Sequence, residues 1–121
     1  MQHQIRSMRP FIGAKDYDES RSFYIDLGFT ETVLSDNMSV FKIANFAFYL
    51  QKAYIKDWID NSQIFLEVDD VERYFNELSA LNLQTKYKGK VRLTPIKKDS
   101  WGKECFLHDP SGILWHFGEF Y

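Results

Sequence analysis

One cysteine, three prolines and six scattered glycines are all that this chain of 121 residues has of those three types. The lone Cys105 has no partner for an internal disulfide, and its apolar neighbours suit an inert buried thiol better than a nucleophile. A reducing compartment fits such cysteine usage, and the expected location is the cytoplasm. The glycines form no phosphate-binding loop, and no Ser–His–Asp or Cys–His constellation is grouped along the chain. Charge of one sign is also lacking. Fifteen Lys and Arg stand against seventeen Asp and Glu, for a formal net charge of −2, so neither nucleic acid nor an anionic membrane is the expected partner. No apolar run has the length of a membrane span, and residues 1–8 have no apolar signal-peptide core.

Aromatic residues are abundant. Eleven Phe, seven Tyr and three Trp make up 17% of the chain, more rings than a core of this size readily hides. Rings that alternate along a strand are usually core, yet some of these are expected to line a ligand groove or a subunit contact. With 45% hydrophobic residues, a single domain over residues 1–121 can bury a core without cross-links.

Periodicity divides that domain into two modules, about 9–51 and 63–117. In the first, Pro10 to Ala14 reads as a short strand. A helix follows, with Asp16 and Glu19 spaced as a capping box, an apolar stripe of Tyr17, Phe23, Tyr24 and Leu27, and Gly28 as terminator. Strands are predicted over 29–34, 39–43 and 46–50. In the second, Ile64, Leu66 and Val68 alternate with exposed positions. Asp69 and Glu72 take the capping spacing, and Val71, Tyr74, Phe75, Leu78 and Leu81 recur at helical intervals. Strands are predicted near 83–87, 103–108 and 113–117. Asp16 and Asp70, Leu27 and Leu81, and Phe29 and Leu83 are each 54 residues apart, which marks a repeated strand–helix unit. The segment 52–62 between the modules reads as a connection that packs loosely.

Three stretches, Ser22-Phe-Tyr-Ile-Asp-Leu-Gly-Phe29, Leu66-Glu-Val-Asp-Asp-Val71 and His108-Asp-Pro-Ser-Gly-Ile-Leu114, follow one another in the order and spacing of the glyoxalase/bleomycin resistance protein/dioxygenase (vicinal oxygen chelate) superfamily. The chain resembles that family from about Arg9 to Phe117, and the pair Trp101-Gly102 resembles its bleomycin-resistance branch. The resemblance implies an α+β fold of two βαβββ modules, with a curved mixed sheet around a cleft, and commonly a homodimer.

Metalloenzymes of the family hold a divalent ion with four side chains, and the resemblance carries those positions onto Arg9, Tyr49, Gln63 and His116. Only His116 is a good ligand, and Arg9 would repel a cation. A lone strand histidine is also, more often than not, a packing residue. We therefore expect no metal or other cofactor and no catalytic residues. The expected function is that of a small-molecule binding protein of the bleomycin-resistance (antibiotic-resistance) type, which sequesters an aromatic or amphipathic ligand in a dimer cleft. Arg9, Phe41, Tyr49, Trp58, Gln63, Trp101 and His116 are the expected ligand-binding residues, with Arg9 available to an anionic group. The alternatives are a metal-dependent lyase or dioxygenase with atypical ligands, and a partner-binding domain without a small-molecule ligand.

Overall fold

The computed structural model describes all residues, 1–121, as two compact units, Met1–Ile55 and Lys56–Tyr121. The fold is α+β, with one mixed sheet in each unit. No helix is long and apolar enough to cross a membrane.

In the first unit, β1 (Phe11–Gly13) leads into α1 (Tyr17–Asp26), followed by β2 (Thr30–Ser35), β3 (Met38–Ile43) and β4 (Phe46–Gln51). Asp16 caps α1 by accepting from Glu19 N at 3.0 Å. Gly28, at φ +97°, takes the left-handed conformation that releases the chain into β2. The sheet order is β1-β4-β3-β2, with β1 parallel to β4 and the other pairs antiparallel. The α1 stripe packs on one sheet face. Tyr24, fully buried, lies edge-on to Phe48 at 4.8 Å and tilted to Phe41 at 5.7 Å. A polar strut braces the same side: Tyr17 OH and Ser39 Oγ are 2.9 Å apart, Ser39 donates to Glu31, and Arg21 pairs with Glu31 at 2.6 Å.

The second unit opens with α2 (Lys56–Asp60), then β5 (Gln63–Glu67), α3 (Val71–Ala80), α4 (Leu83–Lys86), β6 (Arg92–Leu93), β7 (Lys97–Lys98), β8 (Gly102–His108) and β9 (Leu114–Phe120). Its sheet runs β5-β9-β8-β6, with β7 also paired to β8. As in the first unit, the first strand lies parallel to the last, β5 against β9. Exposure alternates along β5 as expected, with Ile64 and Leu66 turned inward and Gln63, Phe65 and Glu67 outward. Asp109, fully buried, ties the β8–β9 turn: its Oδ1 accepts from the backbone N–H of Ser111, Gly112 and Ile113, each at 2.9 Å.

Three local expectations are corrected. The α3 cap is Asp70, one residue later than the Asp69–Glu72 spacing suggested. Asp70 has the extended backbone of an N-cap and accepts from Arg73 N at 3.1 Å. The strand expected at 83–87 is a helical turn, because Asn82 adopts φ 55° and redirects the chain so that Leu83 and Tyr87, four apart, are buried together. Pairing with β8 falls instead to β6 and β7, on either side of Pro95, which has no N–H to continue a ladder. Finally, the connection at 52–62 is not loose throughout, since Ile59 on α2 is fully buried.

Candidate functional site

Each sheet packs helix on one face, and strand phase decides which side chains reach the other. In the first unit Phe11 lies opposite Tyr49 in the parallel ladder, and their rings stack at 4.7 Å with 19° between planes. Tyr49 N donates to Pro10 O at 2.9 Å, which extends that ladder by one bond and fixes the residue before Pro10 next to the tyrosine. Arg9 is thereby held with its guanidinium carbon 5.8 Å from the Tyr49 ring centroid and Nη1 3.5 Å from the hydroxyl. Its Nε is enclosed and has no hydrogen-bond partner. Phe41, expected beside Tyr49, is on the other face: it lies opposite Phe48 across β3–β4, stacks on it at 5.6 Å, and is fully buried under Tyr24. It is a core ring, placed there by an alternation that its own strand does not disclose, since Ser39, Val40 and Phe41 are all buried.

The second unit repeats this arrangement with other residues. Gln63 and Phe65 stand 54 residues after Arg9 and Phe11, and Phe65 lies opposite His116 as Phe11 lies opposite Tyr49. His116 Nε2 is 2.8 Å from Gln63 Oε1 and Nδ1 is 3.2 Å from Glu104 Oε1. A neutral imidazole donates from one nitrogen only, so with Nδ1–H donating to Glu104 the Gln63 amide must turn its NH2 toward Nε2 for both nitrogens to be hydrogen-bonded. Glu104, only 8% exposed, had not been expected here. Its strand phase was readable, because Cys105 and Leu107 point inward on either side of Phe106. That Glu104 meets His116, however, depends on the β8–β9 register, which sets Glu104 opposite Gly118 and Phe106 opposite His116.

Beside this polar group is an aromatic cluster. Trp101 lies 5.1 Å from Phe120 and 5.9 Å from Phe65, Phe65 lies 5.8 Å from Phe120, and Phe106 meets His116 edge-on at 4.9 Å. Phe65 and Phe120 are 44% and 53% exposed, so the cluster presents ring faces to solvent. Gly118 makes room for it: a Cβ there would come within 2.7 Å of Phe65 Cε2 and closer still to Cζ. Trp58 is half-buried on α2, where its carbonyl accepts from Ser62 Oγ, and its ring is not part of the cluster.

The four positions that family metalloenzymes use for an ion do not suit one here. Arg9 is a cation, Tyr49 accepts from it, and the amide and imidazole of Gln63 and His116 are spent on each other and on Glu104. A separate acidic group, Asp70, Glu72 and Glu119, has its oxygens within 4.8 Å of one another. Those oxygens serve the start of α3, since Glu119 accepts from Val71 N and Asp70 from Arg73 N, while Lys103 sits 2.8 Å from Glu72. Cys105 is buried, and burial followed by the Glu104 charge pushes its thiol up to about 11, far from a nucleophile's range. His108 is half-buried, with an enclosed Nδ1 that has no partner. Burial, then the nearby Arg92, lowers its pKa, which favours the neutral ring.

A family model described as the Glyoxalase/Bleomycin resistance protein/Dioxygenase superfamily matches residues 5–117. Among solved structures, the fold is similar to a bleomycin-binding protein from Streptomyces verticillus complexed with copper(II)-bleomycin (TM-score 0.81, 20% identity, 99% of this chain and 100% of that one). It is also similar to an antibiotic-binding protein from Streptomyces sp. CB03234 (0.76, 16%, 99% and 100%). A third likeness is to a lactoylglutathione lyase from Agrobacterium tumefaciens (0.71, 15%, 97% and 96%). No curated protein matches the sequence.

Proposed function

Because the chain belongs to the Glyoxalase/Bleomycin resistance protein/Dioxygenase superfamily, which contains both enzymes and binding proteins, we propose that it is one of the binders. It sequesters an aromatic or amphipathic small molecule in the cleft of a cytoplasmic homodimer, without a metal ion. The observation that carries this reading is the solvent-facing cluster of Phe65, Trp101 and Phe120 beside the Gln63–His116–Glu104 group. Ring faces with a few fixed polar groups at their edge are what an amphipathic ligand needs, and such rings are not needed for a second-unit core already filled by Leu107, Ile113, Trp115 and Phe117. The similarity to proteins that bind bleomycin or another antibiotic supports the same reading. Lyase or dioxygenase chemistry is disfavoured by a cation at one family metal position and by a histidine with both nitrogens engaged.

The dimer is supported by the outer strand β2, where Val33 and Leu34 are exposed, and by exposed Phe46 at the start of β4. An open edge with apolar side chains is a surface that proteins usually cover. Light scattering should give twice the chain mass, and a monomer mass that does not change with concentration would refute the dimer. Titration with the neutral fluorophore N-phenyl-1-naphthylamine tests the binding site. The wild type should bind it, and Trp101→Ala should weaken binding about five-fold, equivalent to roughly 1 kcal/mol of lost stacking. Elemental analysis giving one transition-metal ion per chain, lost in His116→Ala, would overturn the metal-free reading.

A further inference from the structure

We propose that Arg9, Tyr49 and Phe11 form a receptor for an anionic head group, and that the ligand class of this protein is an aromatic body bearing a carboxylate or sulfonate. The proposal rests on the binding reading above and adds the chemistry that the first unit selects.

Arg9 is not matched to a carboxylate. Arg21 lies 3.0 Å from Asp18 and 2.6 Å from Glu31, and Arg73 lies within 3.7 Å of both Asp69 and Glu77. Arg9 instead has the Tyr49 hydroxyl at 3.5 Å and the Tyr49 ring, neither of which neutralises it. Strand register keeps acids away. The Tyr49 face carries Thr32 and Val40 in one row across the sheet and Thr30, Lys42 and Ala47 in the next, while Glu31 points to the helix side. An anion approaching this face therefore meets two cations and no carboxylate.

The second observation is the enclosed Nε–H of Arg9, which has no acceptor. A buried donor left unpaired is costly, and more so when it belongs to a charged group. That donor is enclosed, so an acceptor from outside reaches it only when the half-buried guanidinium turns outward, a movement that the unpaired Nε–H favours. Guanidinium Nε and Nη hydrogens form a parallel pair that matches the two oxygens of a carboxylate or sulfonate. Phe11 then defines what the anion is attached to. Its ring is 50% exposed and braced from behind by the Tyr49 stack, so it offers one fixed aromatic face two residues from the guanidinium. Selection for an anion is confined to this unit, because the corresponding position of the second unit is the neutral Gln63, beside acidic Glu104 through His116.

A matched pair of fluorescent probes isolates the head group: 1-anilinonaphthalene-8-sulfonate and its neutral analogue N-phenyl-1-naphthylamine. The wild type should bind the sulfonate more tightly. Arg9→Ala should weaken the sulfonate about ten-fold and leave the neutral probe within two-fold, which also shows that the variant is folded. Arg9→Lys should recover part of the loss. In the wild type, the Arg9 Nε–H resonance should shift on adding the sulfonate and stay in place with the neutral probe. Equal effects of Arg9→Ala on both probes, or none on the sulfonate, would overturn the anion receptor while leaving the binding reading intact. Failure of the wild type to bind either probe would overturn both.

Discussion

Two buried glycines of the second unit have opposite sensitivities, and the contrast tests whether the aromatic cluster is a binding surface. At Gly118 the obstacle to a methyl group is the far edge of the Phe65 ring. That ring is 44% exposed and can swing outward, so Gly118→Ala leaves the backbone in place and detaches Phe65 from Trp101, Phe120 and His116. Three ring contacts at about 0.5–1.5 kcal/mol each, discounted because the ring is already half in water, give a loss of about 1–3 kcal/mol. At Gly102 the obstacle is backbone: a Cβ would lie 3.0 Å from both the Glu119 carbonyl carbon and Phe120 Cα, and closer still to the carbonyl oxygen. Nothing there can rotate away. Gly102→Ala must open the end of β8–β9, with the Tyr121 N to Trp101 O and Asp99 N to Gly102 O bonds beside it, for about 3 kcal/mol or more. Urea denaturation of both variants, with titration of N-phenyl-1-naphthylamine into the folded protein, separates the effects. Gly118→Ala should lose about five-fold in affinity with a modest fall in midpoint, and Gly102→Ala should show chiefly the fall in midpoint. Unchanged affinity in Gly118→Ala, with a displaced Phe65 ring seen by NMR, would refute the cluster as the ligand platform.

Other outcomes follow from single residues. Cys105 should resist a thiol reagent at pH 8 in the folded protein and react fully in urea, because burial holds its pKa near 11. Asp109→Ala should cost about 3 kcal/mol in chemical denaturation, since three backbone N–H groups lose a shared carboxylate oxygen. Glu31 is held below its ordinary value of 4.5, chiefly by its hydrogen bond from Arg21 and against the cost of burial. A depressed carboxylate stabilises the fold fully above pH 4.5 and loses that contribution as pH falls through the lowered value. Glu31→Gln should accordingly flatten the acid side of a stability–pH profile, and an unchanged acid limb would contradict the Arg21–Glu31 account.

What the sequence disclosed of this molecule is what local chemistry determines. Asp16 and Gly28 delimit α1 through bonds and dihedral angles within a few residues, so they were readable without the fold. Leu83, Thr85 and Tyr87 alternate like a strand while Leu83 and Tyr87 also share a helical face. The left-handed Asn82 decides between the two, and asparagine does so only sometimes. Ile59 was missed because a helix of five residues shows too little periodicity. In the candidate site, Arg9, Tyr49, Gln63 and His116 came from motif position, and the structure joins them as two pairs, one in each unit. Glu104, Phe65 and Phe120 join the second pair only through strand register, and Phe41 left the set for the same reason. Contacts across strands depend on which residues stand opposite one another, and that is non-local information.

The parallel pairing of first strand with last has a consequence for how the molecule is made. Within each unit the opening strand can find its neighbour only after the rest of that unit exists: Tyr49 is 40 residues beyond Arg9, and His116 is 53 beyond Gln63. Hairpins such as β3–β4 and β8–β9 close early over short turns, whereas β1 and β5 must wait as unpaired ribbons and dock last. Since the chain emerges from its N-terminal side, the Arg9–Tyr49 half can be finished while Gln63 still has no histidine to meet. The nascent chain can thus hold the Arg9–Tyr49 pair while β5 is still an unpaired strand. During that time the Phe65 ring lies on an uncovered strand edge, open to neighbouring chains.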